Sequence, residues 1–337
     1  MAQMRTVLTS LFLFVLVFGA ALGAAENVEL KRQGNRVDVT IGGKPFTAYY
    51  FDPKVAKPYM YPLESADGVV VTRGFPMRRD IPGESTDHPH HRGLYFAHGD
   101  INGNDFWSEE KFEEKAPVKV GDNTYQASEH LPWGRTVLNR LLVARGGKDS
   151  GFLKADFQLV NSVGKVIADE TQSYTFRGDA TTRTIDCEFV IHPVGGSVKF
   201  GDTKEGTFAI RLVKALEEPS GMKMTDSEGR VGEKQIWGKR AKWVDCSGTV
   251  EGKPVGVAIF DNPSNPKHPT YWHARGYGLF AVNPFGEHDF YNDPKRDCSV
   301  TIPVGKSLTF RYRVLIHEGD AGAAKVAEAY ASYADGK

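Results

Sequence analysis

The run Asp87-His88-Pro89-His90-His91-Arg92-Gly93, followed by His98-Gly99-Asp100, places four of the ten histidines within eleven residues. Imidazole titrates nearest to neutrality and is the commonest metal ligand, so a cluster flanked by aspartates suits proton transfer or cation binding. In extended backbone the side chains alternate, and His88, His90, Arg92, His98 and Asp100 would share one face. Pro89 and Gly93 interrupt any continuous strand, so that face exists only in pieces. Two chemistries fit the pattern. His90 or His98 can act as general acid or base beside a sugar hydroxyl. Alternatively, His88 and His90 form a His-x-His pair for a divalent metal ion, completed by a third ligand from elsewhere. The reading without function is a histidine-rich loop whose rings bond backbone groups.

Three further segments carry groups of the right kind. Asn102-Gly103-Asn104-Asp105-Phe106-Trp107 joins short amides and a carboxylate to a tryptophan. Sugars present apolar C–H faces beside fans of hydroxyls, so Asn102, Trp107 and Arg92 are candidate substrate-binding residues. The bland equivalent is a turn followed by a core tryptophan. In Tyr271-Trp272-His273-Ala274-Arg275-Gly276-Tyr277, a strand would point Tyr271, His273, Arg275 and Tyr277 the same way. His273, Arg275 and Tyr277 are then candidate catalytic groups, with Tyr271 binding substrate, unless the face is merely solvated. The loop Asn283 to Asp289 follows, in which His288 and Asp289 are candidates to close over a ligand and Asn283 and His288 to bind substrate. Arg73 to Asp80 precedes the histidines and offers an arginine, although such runs are usually solvated. Glu170, on a strand, is the carboxylate placed to face a histidine as a base. Nucleophile elbows, His-Glu-x-x-His, phosphate-binding loops and Cys-x-x-Cys are absent.

The elements that must position these groups read as strands. Val37, Val39 and Ile41 alternate with polar residues up to Gly42-Gly43, and Phe46 to Phe51 follows, which predicts a hairpin. Phe152 to Val160, Val166 to Phe176 and Thr182 to Ile191 predict a three-strand meander. Thr207 to Leu212, Val255 to Phe260, Tyr277 to Val282 and Leu308 to Ile316 add strands. One helix is expected over Ala321 to Tyr333, N-capped by Asp320, with Val326, Tyr330 and Tyr333 on one stripe. The fold class is therefore all-β, a large antiparallel sandwich with a C-terminal helix, rather than a Rossmann or α/β barrel fold.

Arg5, the apolar run Leu11 to Phe18 and the small residues Gly19 to Ala25 read as a secretory signal over residues 1–25. A single β-domain over 26–337 is expected to follow, periplasmic or secreted and without a stable membrane span. Lysine plus arginine equals aspartate plus glutamate, 42 each, which gives no basic footprint for nucleic acid. Cys187, Cys246 and Cys298 allow one bridge or three thiols.

On Asp87 to Gly93, Phe96 to Gly99, Asn102-Gly103, Asp105 to Trp107, Asp261 to Pro263, Asn265-Pro266, Tyr271 to His273 with Arg275, and Asn283 to Gly286, the chain resembles the bacterial PmoA-like family. That family is functionally uncharacterised, and the membrane-spanning topology behind its label does not match this chain. The closing run Ile302 to Val314, with His317-Glu318-Gly319, is similar to the last strands of galactose mutarotase-like supersandwiches. This second resemblance implies a concave sheet bearing His, Arg, Tyr and acidic residues, in a superfamily of sugar epimerases, polysaccharide lyases and glycoside-processing enzymes. The leading expectation is an exported carbohydrate-active enzyme of lyase, hydrolase or epimerase type acting on a sugar or glycan. His90 or His98 would carry the proton opposite His273, and Arg275 and Arg92 would stabilise negative charge. The alternatives are a His-ligated metal-dependent enzyme, such as an oxidoreductase, and a non-catalytic glycan-binding protein.

Overall fold

Residues with period-two hydrophobicity pair into two large antiparallel sheets, beside two small two-stranded ones, in the computed structural model, which describes residues 24–109, 118–120, 123–125 and 132–336. The sequence-predicted leader falls on residues 1–25, almost wholly outside the described residues. Nine strands form the first sheet, in the order Val28–Gln33, Arg36–Ile41, Lys44–Tyr50, Tyr59–Met60, Leu94–His98, Gly206–Arg211, Leu279–Asn283, Thr270–Ala274 and Arg240–Ala241. Eight form the second: Lys223–Asp226, Trp243–Val250, Lys253–Asp261, Leu308–Glu318, Arg183–Pro193, Val166–Gly178, Gly151–Val160 and Arg135–Arg145. The expected hairpin is Arg36–Ile41 on Lys44–Tyr50, and the expected meander is Gly151–Val160, Val166–Gly178 and Arg183–Pro193.

The sheets pack face to face because one side of each strand is apolar. In Gly151–Val160 every second residue is buried, with Leu153, Ala155, Phe157 and Leu159 turned inward. Phe96 of the first sheet stacks on Phe189 of the second at 4.1 Å, and Phe208 stacks on Tyr312 at 5.0 Å. Each fully buried large apolar side chain of this kind stabilises the fold by ~1.5–3 kcal/mol. Cys187, Cys246 and Cys298 are all buried free thiols, so neither sheet is stapled by a bridge.

Two expectations about elements change. The C-terminal helix runs over Val326–Ala334, and Asp320 instead caps the preceding turn, accepting from the Gly322 and Ala323 amides. Lys325, with φ +52°, separates that turn from the helix. Val326, Tyr330 and Tyr333 do share the buried stripe, packed on Ala258, Phe260 and Leu315 at the back of the second sheet. The segment from Tyr271 to Tyr277 is a strand only as far as Ala274. Arg275 to Gly278 is a tight turn closed by the Gly278 amide on the Arg275 carbonyl, with Gly278 at φ +86°. Among the described residues no helix is long and apolar enough to cross a membrane.

Candidate functional site

The first sheet has two faces with different jobs. Leu94 and Phe96, Phe208 and Ile210, Phe280 and Val282, and Trp272 enter the inter-sheet core. The alternate residues Tyr95, Ala97, Ala209, Leu279 and Ala281 form a separate cluster on the outer face, with Tyr59, Tyr61 and Trp107. Onto this outer face folds the loop carrying the histidines. Gly93 ends that loop with φ +59°, and a Cβ there would land on the Met60 carbonyl, so the chain can turn into the strand only at glycine. The Arg211 amide donates to the Gly93 carbonyl and the Arg73 amide to the Arg211 carbonyl. Three segments distant in sequence are thereby stitched at one point.

Asp87 is the hub. Its Oδ1 accepts from Arg73 Nη1 at 2.6 Å and Arg211 Nη2 at 3.1 Å, while Oδ2 lies 3.0 Å from His88 Nδ1. Burial works against its ionisation, but the His88 hydrogen bond and the Arg211 charge outweigh that and hold its carboxyl well below the usual range. Arg73 and Arg211 are both fully buried. Burial, then repulsion from Arg211, brings Arg73 down to about 10. Arg73 Nη2 also donates to the His88 carbonyl at 2.8 Å, fixing that residue at φ +41°. A non-glycine residue held there costs ~1–3 kcal/mol, a strain typical of functional loops.

Above the hub the rings form a column. Tyr277 stacks on His88 at 5.5 Å and 7°, His88 on His91 at 4.8 Å and 1°, and His91 on Tyr95 at 6.4 Å and 19°. His90 meets His91 edge-on at 4.4 Å, and Trp107 does so at 5.8 Å. Arg211 lies 4.5 Å over the Tyr277 ring. Desolvation first, then neighbouring cations and imidazoles, push His90 and His91 well below the ordinary histidine range. Both are neutral at pH 7.

The hydrogen bonds set the tautomers. Arg211 Nη1 sits 3.4 Å from His91 Nδ1, and a guanidinium only donates, so Nδ1 is the lone pair and His91 carries its proton on Nε2. In the neutral form of His88 the carboxylate at Nδ1 holds the proton there, and Nε2 is the acceptor. One imidazole therefore offers a donor and the ring stacked on it a base. His91 Nε2, Tyr95 Oη, Trp107 Nε1, Arg73 Nε and Arg211 Nε are all buried and have no hydrogen-bond partner among the described residues. Beneath them Lys57 Nζ donates to the Trp107 carbonyl at 2.5 Å and lies 5.0 Å over the Tyr95 ring. Glu109 balances Lys57 at 3.4 Å and holds Arg92 through both oxygens at 2.9–3.1 Å.

The candidate residues divide between this cluster and other places. His88, His90 and Tyr277 meet in it, and Arg275 lies 5.6 Å over the Tyr277 ring while pairing with Glu233 at 3.1 Å. Arg92 lies beside it, locked to Glu109. Trp107 is in its floor, fully buried, and so is no exposed platform for a sugar. His273 is on the same sheet face, buried, with Nδ1 donating to the Lys204 carbonyl at 2.8 Å; burial first lowers its pKa. His98 points the other way, between Phe200 and Phe285, with Nε2 donating to the Gly201 carbonyl at 2.8 Å and burial bringing it to about 4. Tyr271 reaches Glu287 near the sheet edge at 2.9 Å. Asn102 ties its turn to Ser197 and Lys199, and Asn283 ties its loop to Thr203 and Phe285. His288 is exposed on a short helix. Glu170 faces no histidine; it lies between the sheets on Gln172, and burial raises it to about 7. Among the described residues no three His, Cys, Asp or Glu side chains come together as a metal-ligand set.

Sequence reasoning missed Arg211, Lys57, Glu109 and Tyr95. A lone arginine closing the apolar strand Thr207 to Leu212 was the available signal for Arg211. Nothing in sequence marks Lys57.

Fold and cluster together define a large antiparallel β-sandwich with a histidine–arginine site on the outer face of one sheet. The chain belongs to the family described as a family of unknown function (DUF6807), whose model matches residues 36–331. That match does not carry the PmoA-like label. No curated protein matches the chain. Among solved structures it is similar to a putative aldose 1-epimerase from Escherichia coli K12, at 12% identity and a TM-score of 0.38, covering 87% of this chain and 99% of that one. It is also similar to an α-galactosidase from Lactobacillus brevis at 6% identity and a TM-score of 0.37, covering 89% of this chain and 40% of that one. At these scores the likeness carries no argument about activity, which must rest on this chain's own residues.

Proposed function

We propose that this protein is a carbohydrate-active enzyme that moves a proton on a sugar or glycoside at the Asp87–His88–His91 cluster. The observation that carries the reading is the complementary pair of stacked imidazoles, His88 oriented as a base by Asp87 and His91 held as a donor by Arg211. His88 Nε2 takes the proton. His91 Nε2–H and the Tyr95 hydroxyl beside it are donors of the kind that stabilise an oxygen gaining negative charge. Epimerisation, elimination and glycoside hydrolysis share this step, and the product assigns the reaction. Tyr277 and the stacked Tyr50–Tyr59 pair, whose rings are 5.1 Å apart, lie on the same face of the sheet. His90 is the neutral ring beside the pair, and His98 is not used because it faces the core. The Arg5 and Leu11 to Phe18 pattern supports export to the periplasm or medium.

Purified protein screened against a broad glycan panel is expected to show turnover that falls by ~10²–10⁴ in His88→Asn. The same loss is expected in His91→Phe, with both variants folded by circular dichroism. Wild-type turnover in both variants contradicts the proposal. Glycan binding with no turnover of any substrate would instead favour a binding protein.

A further inference from the structure

The outer face of the second sheet carries a polar trough that the histidine cluster does not touch. Two hollows, of about 490 and about 340 Å³, share Asp186, Asn262 and Tyr333, so they join into one depression beside the C-terminal helix. Strand register arranges its floor in two rows that run across the strands. Arg313, Asp186, Thr175 and Phe152 stand opposite one another on four neighbouring strands, and Arg311, Glu188, Ser173 and Lys154 form the next row. Neighbouring strands lie ~4.8 Å apart, so each row is ~14 Å long. That is room for a short extended chain rather than for a single small group.

Most of the charged members are turned on one another. Arg313 holds both oxygens of Asp186 at 2.5 and 3.0 Å, and Arg177 reaches the same carboxylate. Arg311 donates to Glu188 at 2.8 Å and lies 3.3 Å from Ser264 Oγ. Lys154 is on the same face of its strand as Asp156. Paired in this way, the guanidinium planes are held before a ligand arrives, which lowers the ordering cost of binding. The rows present hydrogen bonds of both signs, because guanidiniums donate, carboxylates accept, and the Ser173 and Thr175 hydroxyls do either. An anion uses only the donors and a cation only the acceptors, whereas each hydroxyl of a neutral sugar gives one bond and takes others. Phe152, half-buried on this solvated face, adds the apolar ring that a sugar's C–H side needs.

We infer that this trough is a second glycan-binding site, which seats an extended neutral oligosaccharide across the strands of the second sheet. It is separate from the histidine cluster, which lies on the outer face of the other sheet, and its occupancy requires no turnover. Native electrophoresis of the full protein, in gels cast with mixed-linkage β-glucan, xylan, galactomannan, soluble starch or polygalacturonate, tests it. At least one neutral polymer is expected to retard wild type and His88→Asn equally. Thr175→Trp, which fills the middle of the trough, is expected to abolish that retardation. Phe152→Ala is expected to weaken it about tenfold with little change in melting temperature, and it carries the test if the tryptophan variant does not fold. Retardation that persists in the folded trough variants, that disappears in His88→Asn, or that only polygalacturonate produces overturns the second site. So does turnover of a glycan by wild type with no retardation by any polymer, and in each of these cases the reading of the histidine cluster is judged by its own turnover. Neither retardation nor turnover on any glycan overturns both.

Discussion

Glu109→Gln is the most informative single change outside the imidazole pair. Glu109 carries the charge balance for two cations, Lys57, which is fully buried, and Arg92, which it grips at 2.9–3.1 Å. Glutamine keeps the shape and removes the charge. Breaking a buried ion pair from one side costs ~3–5 kcal/mol, because the partner stays behind desolvated. At roughly 2–4 °C per kcal/mol for a chain approaching this size, the melting temperature should fall by about 10 °C. Burial alone would raise the Glu109 carboxyl, but Lys57 and Arg92 outweigh it and hold the pKa below the ordinary value. A depressed folded-state pKa contributes stability above the unfolded value and loses it as pH falls through the folded one. The gap between wild type and variant should accordingly be widest at neutral pH and shrink below about pH 4. Differential scanning calorimetry across pH 3 to 8 reads both quantities. Adding Lys57→Met should recover part of the loss, since it removes one stranded charge. A shift under about 2 °C at pH 7, or one that does not depend on pH, would refute the buried counter-ion role of Glu109.

Glu170 gives the opposite pH dependence. Its carboxyl is raised from 4.5 to about 7 by burial between the sheets, so stability present at low pH is lost as pH rises through that window, by ~3 kcal/mol in all. Glu170→Gln should flatten the profile in urea titrations at pH 5 and 8, and an unchanged slope would count against the raised value. Gly93→Ala, which sets a methyl on the Met60 carbonyl at φ +59°, should destabilise by more than ~3 kcal/mol and yield mostly insoluble protein. A soluble variant with wild-type melting behaviour would mean the loop can turn elsewhere.

Local pattern carried the strands, the hairpin and the meander because alternation is a short-range signal. The helix stripe Val326, Tyr330 and Tyr333 was equally readable, although its start was not, because Asp320 caps a turn that stops at Lys325. The histidine cluster was legible as a site of interest. Which of its rings face one another was not. His98 shares the parity of Leu94 and Phe96, and that alternation alone assigns it to the core side. Arg275 and Tyr277 looked like strand residues, yet they lie in the turn that sets Tyr277 on His88. Arg211 reaches the site only through sheet order, which places Gly206–Arg211 beside Leu94–His98 across more than a hundred residues. No periodicity encodes such a neighbour.

The most direct test of the proposed site is a crystal structure of the protein soaked with an oligosaccharide that it binds. The sugar is expected on the outer face of the nine-stranded sheet, with an oxygen within hydrogen-bond distance of His91 Nε2 and Tyr95 Oη and a ring proton or hydroxyl near His88 Nε2. A sugar seated instead in the hollow on the second sheet, lined by Arg177, Asp186, Asn262, Arg313 and Tyr333, with the histidine loop untouched, would contradict it.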